Sequence, residues 1–221
     1  MTPAEVITEV RSLIQDTKTP TRYSDAVLLG YVNQTLKRMA MLRPDLFAVI
    51  TNFQTTPDTV LQNCPADSLR LIEIFQVQDG GSITEVNRET LDRTVPNWQS
   101  HPSGQPVNFM RHVRNPNRFF LYPRPAVGVI LVGEYSQTPT NYTINQEVEY
   151  PIDAYFPAVV DGVVFLAESV DDEHVNTNRA KLFQDSFIQA LGVSLQARVV
   201  TDTESAGLDP RLYRTDPKQV I

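Results

Sequence analysis

The chain has little of what catalysis and metal binding usually need. It carries a single cysteine, Cys64, in 221 residues, which excludes an intramolecular disulfide and suits a reducing compartment. Its histidines are His101, His112 and His174; none stands four residues from another or from Cys64, so no zinc spacing arises. G-x-S-x-G, P-loop and dinucleotide fingerprints are missing as well. The densest group of ligand-type residues, Asp171-Asp172-Glu173-His174, reads as a helix N-terminus, where carboxylates favour the dipole and cap free amides. The expectation is therefore no enzyme activity, no metal and no cofactor.

Other absences narrow the setting. Glu5 and Glu9 interrupt the first apolar stretch, so no secretory leader is expected and the sequon at Asn141-Tyr142-Thr143 carries no meaning. The most apolar window, residues 154–167, is short and broken by Pro157, Asp161 and Gly162, which excludes a helical membrane span. There is no positive excess: net charge is −7 and the isoelectric point near 5.0, which argues against broad neutralisation of nucleic-acid phosphates. Lysine is scarce, limited to Lys18, Lys37, Lys181 and Lys218. The other basic residues are arginines, whose planar head suits fixed, bidentate pairing at interfaces.

What is present is ordinary globular material, 41% hydrophobic and 20% charged, with enough length to bury a core. Its order is the informative part. Thr2-Pro3-Ala4-Glu5 reads as a capped helix start with proline at the first position. Val6, Ile7, Val10, Leu13 and Ile14 then form one helical stripe. After a loop over 16–23, Ser24 caps a second helix in which Leu28, Tyr31, Val32, Leu36 and Met39 share a face, ending at Arg43-Pro44.

From Phe47 the period becomes strand-like. Strands are expected over 48–53, 59–61, 69–77, 83–86, 107–113, 119–122 and 127–135. The turn Asp79-Gly80-Gly81-Ser82 is expected to fold 83–86 back on 69–77, and residues 114–118 to close a second hairpin. A short helix followed by loop is expected over 87–98, broken at Pro96. Pro151 marks a return to helix, over 154–169 despite its valines. A last helix then carries Ala180, Phe183, Phe187, Leu191 and Leu195 on one side. After Val200 no period remains.

Neither pair of helices has enough apolar surface to stand alone. The fold class expected is therefore α+β: a helical bundle built from N- and C-terminal helix pairs, with an inserted antiparallel β module and an extended C-terminal tail. The expected divisions are 1–46 and 151–200 for the bundle, 47–150 for the module and 201–221 for the tail. Within the module Arg111, Arg114, Arg118 and Arg124 alternate with Phe109, Phe119, Phe120 and Tyr122. Such a surface over 107–124 resembles a single-strand nucleic-acid platform. In a chain this acidic, aromatics turned into a core with arginines on the rim are the favoured reading. Trp98, the sole tryptophan, is expected to anchor its loop to a core.

Several segments in order resemble the head-to-tail adaptor proteins of tailed phages. These are Ser24–Leu29, Tyr31-Val32-Asn33, Leu42–Phe47, Pro65–Ile72, Thr90-Leu91-Asp92 with Pro96-Asn97-Trp98, Phe119–Pro125, and Asn178-Arg179-Ala180 with Phe183, Phe187, Leu191 and Gly192. The resemblance implies a structural protein of the virion neck, made in the host cytoplasm. It implies a ring of about twelve copies under the portal, joined to a tail tube or nozzle protein, with DNA passing through the channel unbound and no membrane involved. A neighbouring neck or tail-completion protein would share that setting. Apart from the resemblance, the tail holds Leu208, Leu212, Tyr213, Val220 and Ile221 as isolated apolar residues without an amphipathic period, with Arg211 and Arg214 flanking Leu212 and Tyr213. These seven residues are the expected portal-binding set, docking in extended form.

Overall fold

A computed structural model describes residues 1–151, 153–170 and 177–192. It is mixed α+β, with the N- and C-terminal helices packed together, as expected. α1 (Pro3–Ile14) opens with a full capping box: the Thr2 hydroxyl accepts from the Glu5 N–H at 3.3 Å, and the Glu5 carboxylate accepts from the Thr2 N–H at 2.7 Å. α2 (Asp25–Leu42) starts at Ser24, whose Oγ accepts from the Val27 N–H, and stops at Arg43 before Pro44. The loop between them folds around Asp16, which is buried and accepts from the Arg22 and Tyr23 amides and from the Arg11 guanidinium.

α4 (Phe156–Glu168) is valine-rich because it is the central rod of the bundle. It touches α1, α2 and α5 (Thr177–Ala190), so apolar residues on all its sides are covered. Val6 and Val10 from α1, Leu28, Leu36 and Met39 from α2, Val159 and Val163 from α4, and Phe187 with Leu191 at the end of α5 form one cluster. Gly162 lets the helices close: a Cβ there would meet Thr35 Cγ2 at 2.5 Å and the Phe187 ring at 3.1 Å. α5 ends at Ala190, and Gly192 takes a left-handed φ of 63°, a glycine stop. Leu195, the last member of the apolar stripe, lies outside the described residues, as do Asp171–His174.

A 3-10 turn, Pro44–Phe47, hands the chain to the β module while seating Phe47 in the helical core. The module has two sheets: β1 (Ala48–Gln54), β7 (Ile130–Gln137) and β3 (Ser68–Val77) in the order β1-β7-β3, and β2 (Leu61–Asn63), β6 (Arg118–Tyr122), β5 (Asn108–Arg111) and β4 (Thr84–Glu85) in the order β2-β6-β5-β4. Phe53, Leu71, Ile74, Ile83, Phe109, Phe119, Leu121 and Leu131 fill the space between them. The second sheet's other side is covered by α3 (Arg88–Thr94) and the 3-10 turn Trp98–Ser100. β3 is strongly coiled: its ten residues lie against Leu131–Gln137 of β7 with three register shifts, each bulge adding twist.

Three strand expectations need correction. The turn after β3 does fold back, with the Ile83 N–H donating to the Phe75 carbonyl at 2.9 Å. Ile83 then buries between the sheets, and Thr84–Glu85 leaves β3 to pair parallel with β5. The short strand lies at Leu61–Asn63 rather than 59–61, because the loop before it wraps around the Gln62 amide, which bonds Thr56 N–H at 2.7 Å and the Thr56 carbonyl at 3.0 Å. β7 starts at Ile130, not at 127, because Gly128 sits in a turn at φ 82°. Among the described residues, no helix is long and apolar enough to cross a membrane.

Candidate interaction surfaces

The first surface to weigh is the arginine and aromatic hairpin. Strand alternation sends Phe109, Phe119 and Leu121 of β5 and β6 inward between the sheets, where each is at most 1% exposed. Met110, Phe120 and Tyr122 point to the other side, toward Trp98. Trp98 is 2% exposed, stands edge-on to Phe120 and Tyr122, and donates its indole N–H to Asp92 at 2.6 Å. It is a core anchor. Arg88 lies over the Phe120 ring at 5.2 Å, and His112 stacks on it at 5.7 Å. Both half-buried rings on this side, Phe120 and Tyr122, are thus engaged by the protein's own side chains.

The arginines have structural partners too. Arg111 donates to the main-chain carbonyls of Leu71, at 2.7 Å, and Ile72, and pairs with Glu85 at 2.8 Å. It thereby stitches β3 to the second sheet. Arg124 donates to the His101 carbonyl at 3.0 Å. Arg114 and Arg118 remain exposed at the hairpin tip and the start of β6. The favoured reading of the sequence, aromatics inside and arginines at the rim, is what the structure contains.

A second surface is the groove between α2 and the segment following β7. Ala26, Leu29, Gly30 and Asn33 form one wall, Tyr142 and Ile144 the other. Asn33 holds it in shape: its Nδ2 donates to the Tyr142 carbonyl at 3.1 Å and its Oδ1 accepts from the Tyr142 N–H at 2.8 Å. The segment is pinned again where the Ala4 N–H donates to Ile144 and the Val148 N–H to Met1, both at 2.9 Å. Asn33 is thus a clamp joining the module's exit to the bundle, a role that spacing alone does not reveal.

Two further arginines tie distant chain segments. Arg43 pairs with Asp45 at 2.6 Å and donates to the Leu191 carbonyl, fastening the end of α5 to the start of the module. That pairing, offset in part by burial, raises the Arg43 pKa and lowers that of Asp45. Arg179 donates to the Leu13 carbonyl and lies 3.9 Å from Glu168. The ties to Leu191 and Leu13 carry no signal in the sequence, since each of these partners is a main-chain oxygen far away in the chain.

Two other groups owe a displaced acidity mainly to burial. Burial pushes the Cys64 thiol up to about 11. Burial, together with a hydrogen bond to Asp67, pushes the Tyr135 hydroxyl up to about 12. No group of three His, Cys, Asp or Glu among the described residues is placed to hold a metal ion.

Large apolar side chains left in the open are spread over the molecule: Met41 on α2, Ile50 on β1, Val113 at the hairpin tip, Val127 before β7 and Leu182 on α5, each more than 60% exposed. The seven tail residues expected to bind the portal, Leu208, Arg211, Leu212, Tyr213, Arg214, Val220 and Ile221, lie outside the described residues.

The sequence matches the protein family described as SU10 adaptor protein over residues 1–211. No curated protein matches it.

Proposed function

Because the chain belongs to the SU10 adaptor protein family, a family of phage head-tail adaptors and not of enzymes, we propose that it forms a ring beneath the portal and joins the head to the tail. The reading rests on one observation above all: the match runs from the first helix to residue 211, so it takes in both halves of the bundle and the module between them. In this reading the helices α1, α2, α4 and α5 make the ring wall, and 47–150 present the module to a tail tube or nozzle protein. About twelve copies close the ring by cyclic symmetry. Each carries −7, so the assembly repels DNA from its channel and lets it pass.

The tail, residues 201–221, is the proposed portal contact. Leu208, Leu212, Tyr213, Val220 and Ile221 would fill separate pockets along an extended path, with Arg211 and Arg214 orienting it through acidic partners. Its ordering cost falls due only at the correct site, which suits stepwise assembly. The engagement of the hairpin's aromatic rings by the protein's own side chains favours this adaptor reading over a nucleic-acid module.

The test mixes the purified chain with its portal and images the product by cryo-electron microscopy. Rings on portals are expected for the full chain. A chain ending at Val200 should keep its thermal stability and lose attachment. Unchanged attachment of that shortened chain contradicts the tail contact, and failure of the full chain to meet the portal contradicts the adaptor placement.

A further inference from the structure

The three-stranded sheet has two edges, and only one is closed. Along β3 the outer main-chain groups are taken: the Asn117 amide donates to Ser68, the Pro116 carbonyl accepts from Leu71, Arg111 caps Leu71 and Ile72, and the Ile83 N–H donates to Phe75. β1 has nothing comparable. Its pairing with β7 runs without a shift from Ala48 opposite Ser136 to Gln54 opposite Ile130, and continues as the Thr55 N–H donates to the Val129 carbonyl at 3.2 Å. In an antiparallel ladder this parity turns the amides and carbonyls of Val49, Thr51 and Phe53 toward β7 and those of Ile50, Asn52 and Gln54 away. Among the described residues nothing bonds that outward row. The strand Ala-Val-Ile-Thr-Asn-Phe-Gln has no charge, no proline and no bulge, the devices that normally protect an edge. Ile50 is also 65% exposed beside it.

We propose that residues 193–200 of the same chain add to this edge as a further strand, parallel to β1. The place where the described chain ends selects this occupant. Arg43 donates to the Leu191 carbonyl, and from Arg43 a single 3-10 turn leads to Ala48, the first residue of β1. That turn advances roughly 8 Å, so the chain leaves α5 within reach of the start of β1. Gly192, at a left-handed φ of 63°, turns it out of the helix. The sequence that follows, Val193-Ser194-Leu195-Gln196-Ala197-Arg198-Val199-Val200, alternates apolar and polar up to Val199 with a period of two. Laid parallel to β1, the set Val193, Leu195, Ala197 and Val199 shares the inward side with Phe53. Ser194, Gln196 and Arg198 share the outer side with Ile50 and Asn52. A parallel edge strand is already at home in this module, since β4 pairs that way with β5. Held so, residues 193–200 would fix the direction in which the remaining tail departs, whatever that tail binds.

Amide hydrogen exchange read by NMR tests this without reference to phage assembly. In the full chain the Ile50 and Asn52 amides should exchange at least about tenfold more slowly than in a chain ending at Gly192, with Thr51 and Phe53 protected by β7 in both. A chain ending at Val200 should keep the protection. The full chain with both Leu195→Pro and Ala197→Pro should lose it, because proline cannot complete the ladder. Equal, fast exchange of Ile50 and Asn52 in the full and shortened chains overturns the proposal. So does protection that survives removal of 193–221, or protection that rises with protein concentration, which would mark a second copy as the occupant.

Discussion

The helical bundle and the β module are held together by different kinds of sequence information. The bundle core joins residues from the two ends of the chain: Val10, Leu28 and Leu36 meet Val159, Val163 and Phe187, and no shorter piece of the chain contains them all. The module core is drawn from one continuous stretch, between Phe53 and Leu131. Both use a glycine where elements approach most closely. A Cβ on Gly162 would strike Thr35 and Phe187; one on Gly133 in β7 would come within 2.8 Å of the Glu73 carbonyl and 3.1 Å of the Phe53 ring. The first contact is with side chains, the second with main chain, so the bundle can relax by mutation of a neighbour where the sheet cannot. Phe47, Arg43 and the Asn33 clamp link the two.

The largest expected effect is on the bundle. Phe187→Ala removes a ring that is 5% exposed from the helical core and should cost about 3–5 kcal/mol in denaturant titration; a loss under ~1 kcal/mol would remove Phe187 from the core. Next, Gly162→Ala should cost about 1–3 kcal/mol by overpacking, although alanine is the better helix former. Pairing it with Thr35→Ala should recover part of that loss, as the atom it strikes is gone. Purely additive losses would show that Gly162 is not where the helices meet.

A smaller change sharpens the joint between the regions. Asn33→Ala leaves the Tyr142 amide and carbonyl without their partner and should cost about 1–2 kcal/mol. It should also raise amide exchange at Tyr142 with little change at β3. Equal exchange at Tyr142 in both proteins would mean that the clamp holds nothing. The smallest effect concerns pH. The Tyr135 pKa is raised by burial and Asp67 to about 12 from 10.0, so the folded state favours the protonated phenol. Its contribution is whole below pH 10 and disappears as pH climbs toward 12. Tyr135→Phe should flatten the loss of stability over that window; an unchanged slope would assign it elsewhere.

The bundle was the more legible of the two in sequence. Capping residues Thr2, Glu5 and Ser24, the stop at Pro44 and the stripes of α1, α2 and, as far as Leu191, α5 each carry a local signal, and within the described residues these correspond to a bond or buried face. α4 was legible only through its length and its position after Pro151, since valines alone would suggest strand. The module was legible as strands and turns but not as topology. Nothing local tells that Thr84–Glu85 abandons β3 for β5, because the decision is made by Ile83 entering a core assembled from distant strands. Nor does spacing foretell that the Gln62 side chain would take over the loop amides and displace β2. Among the candidate surface residues, alternation foretold which hairpin aromatics turn inward. It was silent on the ties that Arg111, Arg43 and Asn33 make to main-chain atoms brought close only by the fold.

The lone tryptophan offers the most direct test of a two-region account, because Trp98 reports the β module while circular dichroism at the helical band is dominated by the bundle. In Phe187→Ala the denaturant midpoint of the helical signal should fall well below that of Trp98 fluorescence, since the damaged core contains no residue that packs on Trp98. Two separated transitions are the result expected. Coincident transitions at one lowered midpoint would show a single cooperative unit and contradict the division into a bundle made by the chain's ends and a module that stands between them.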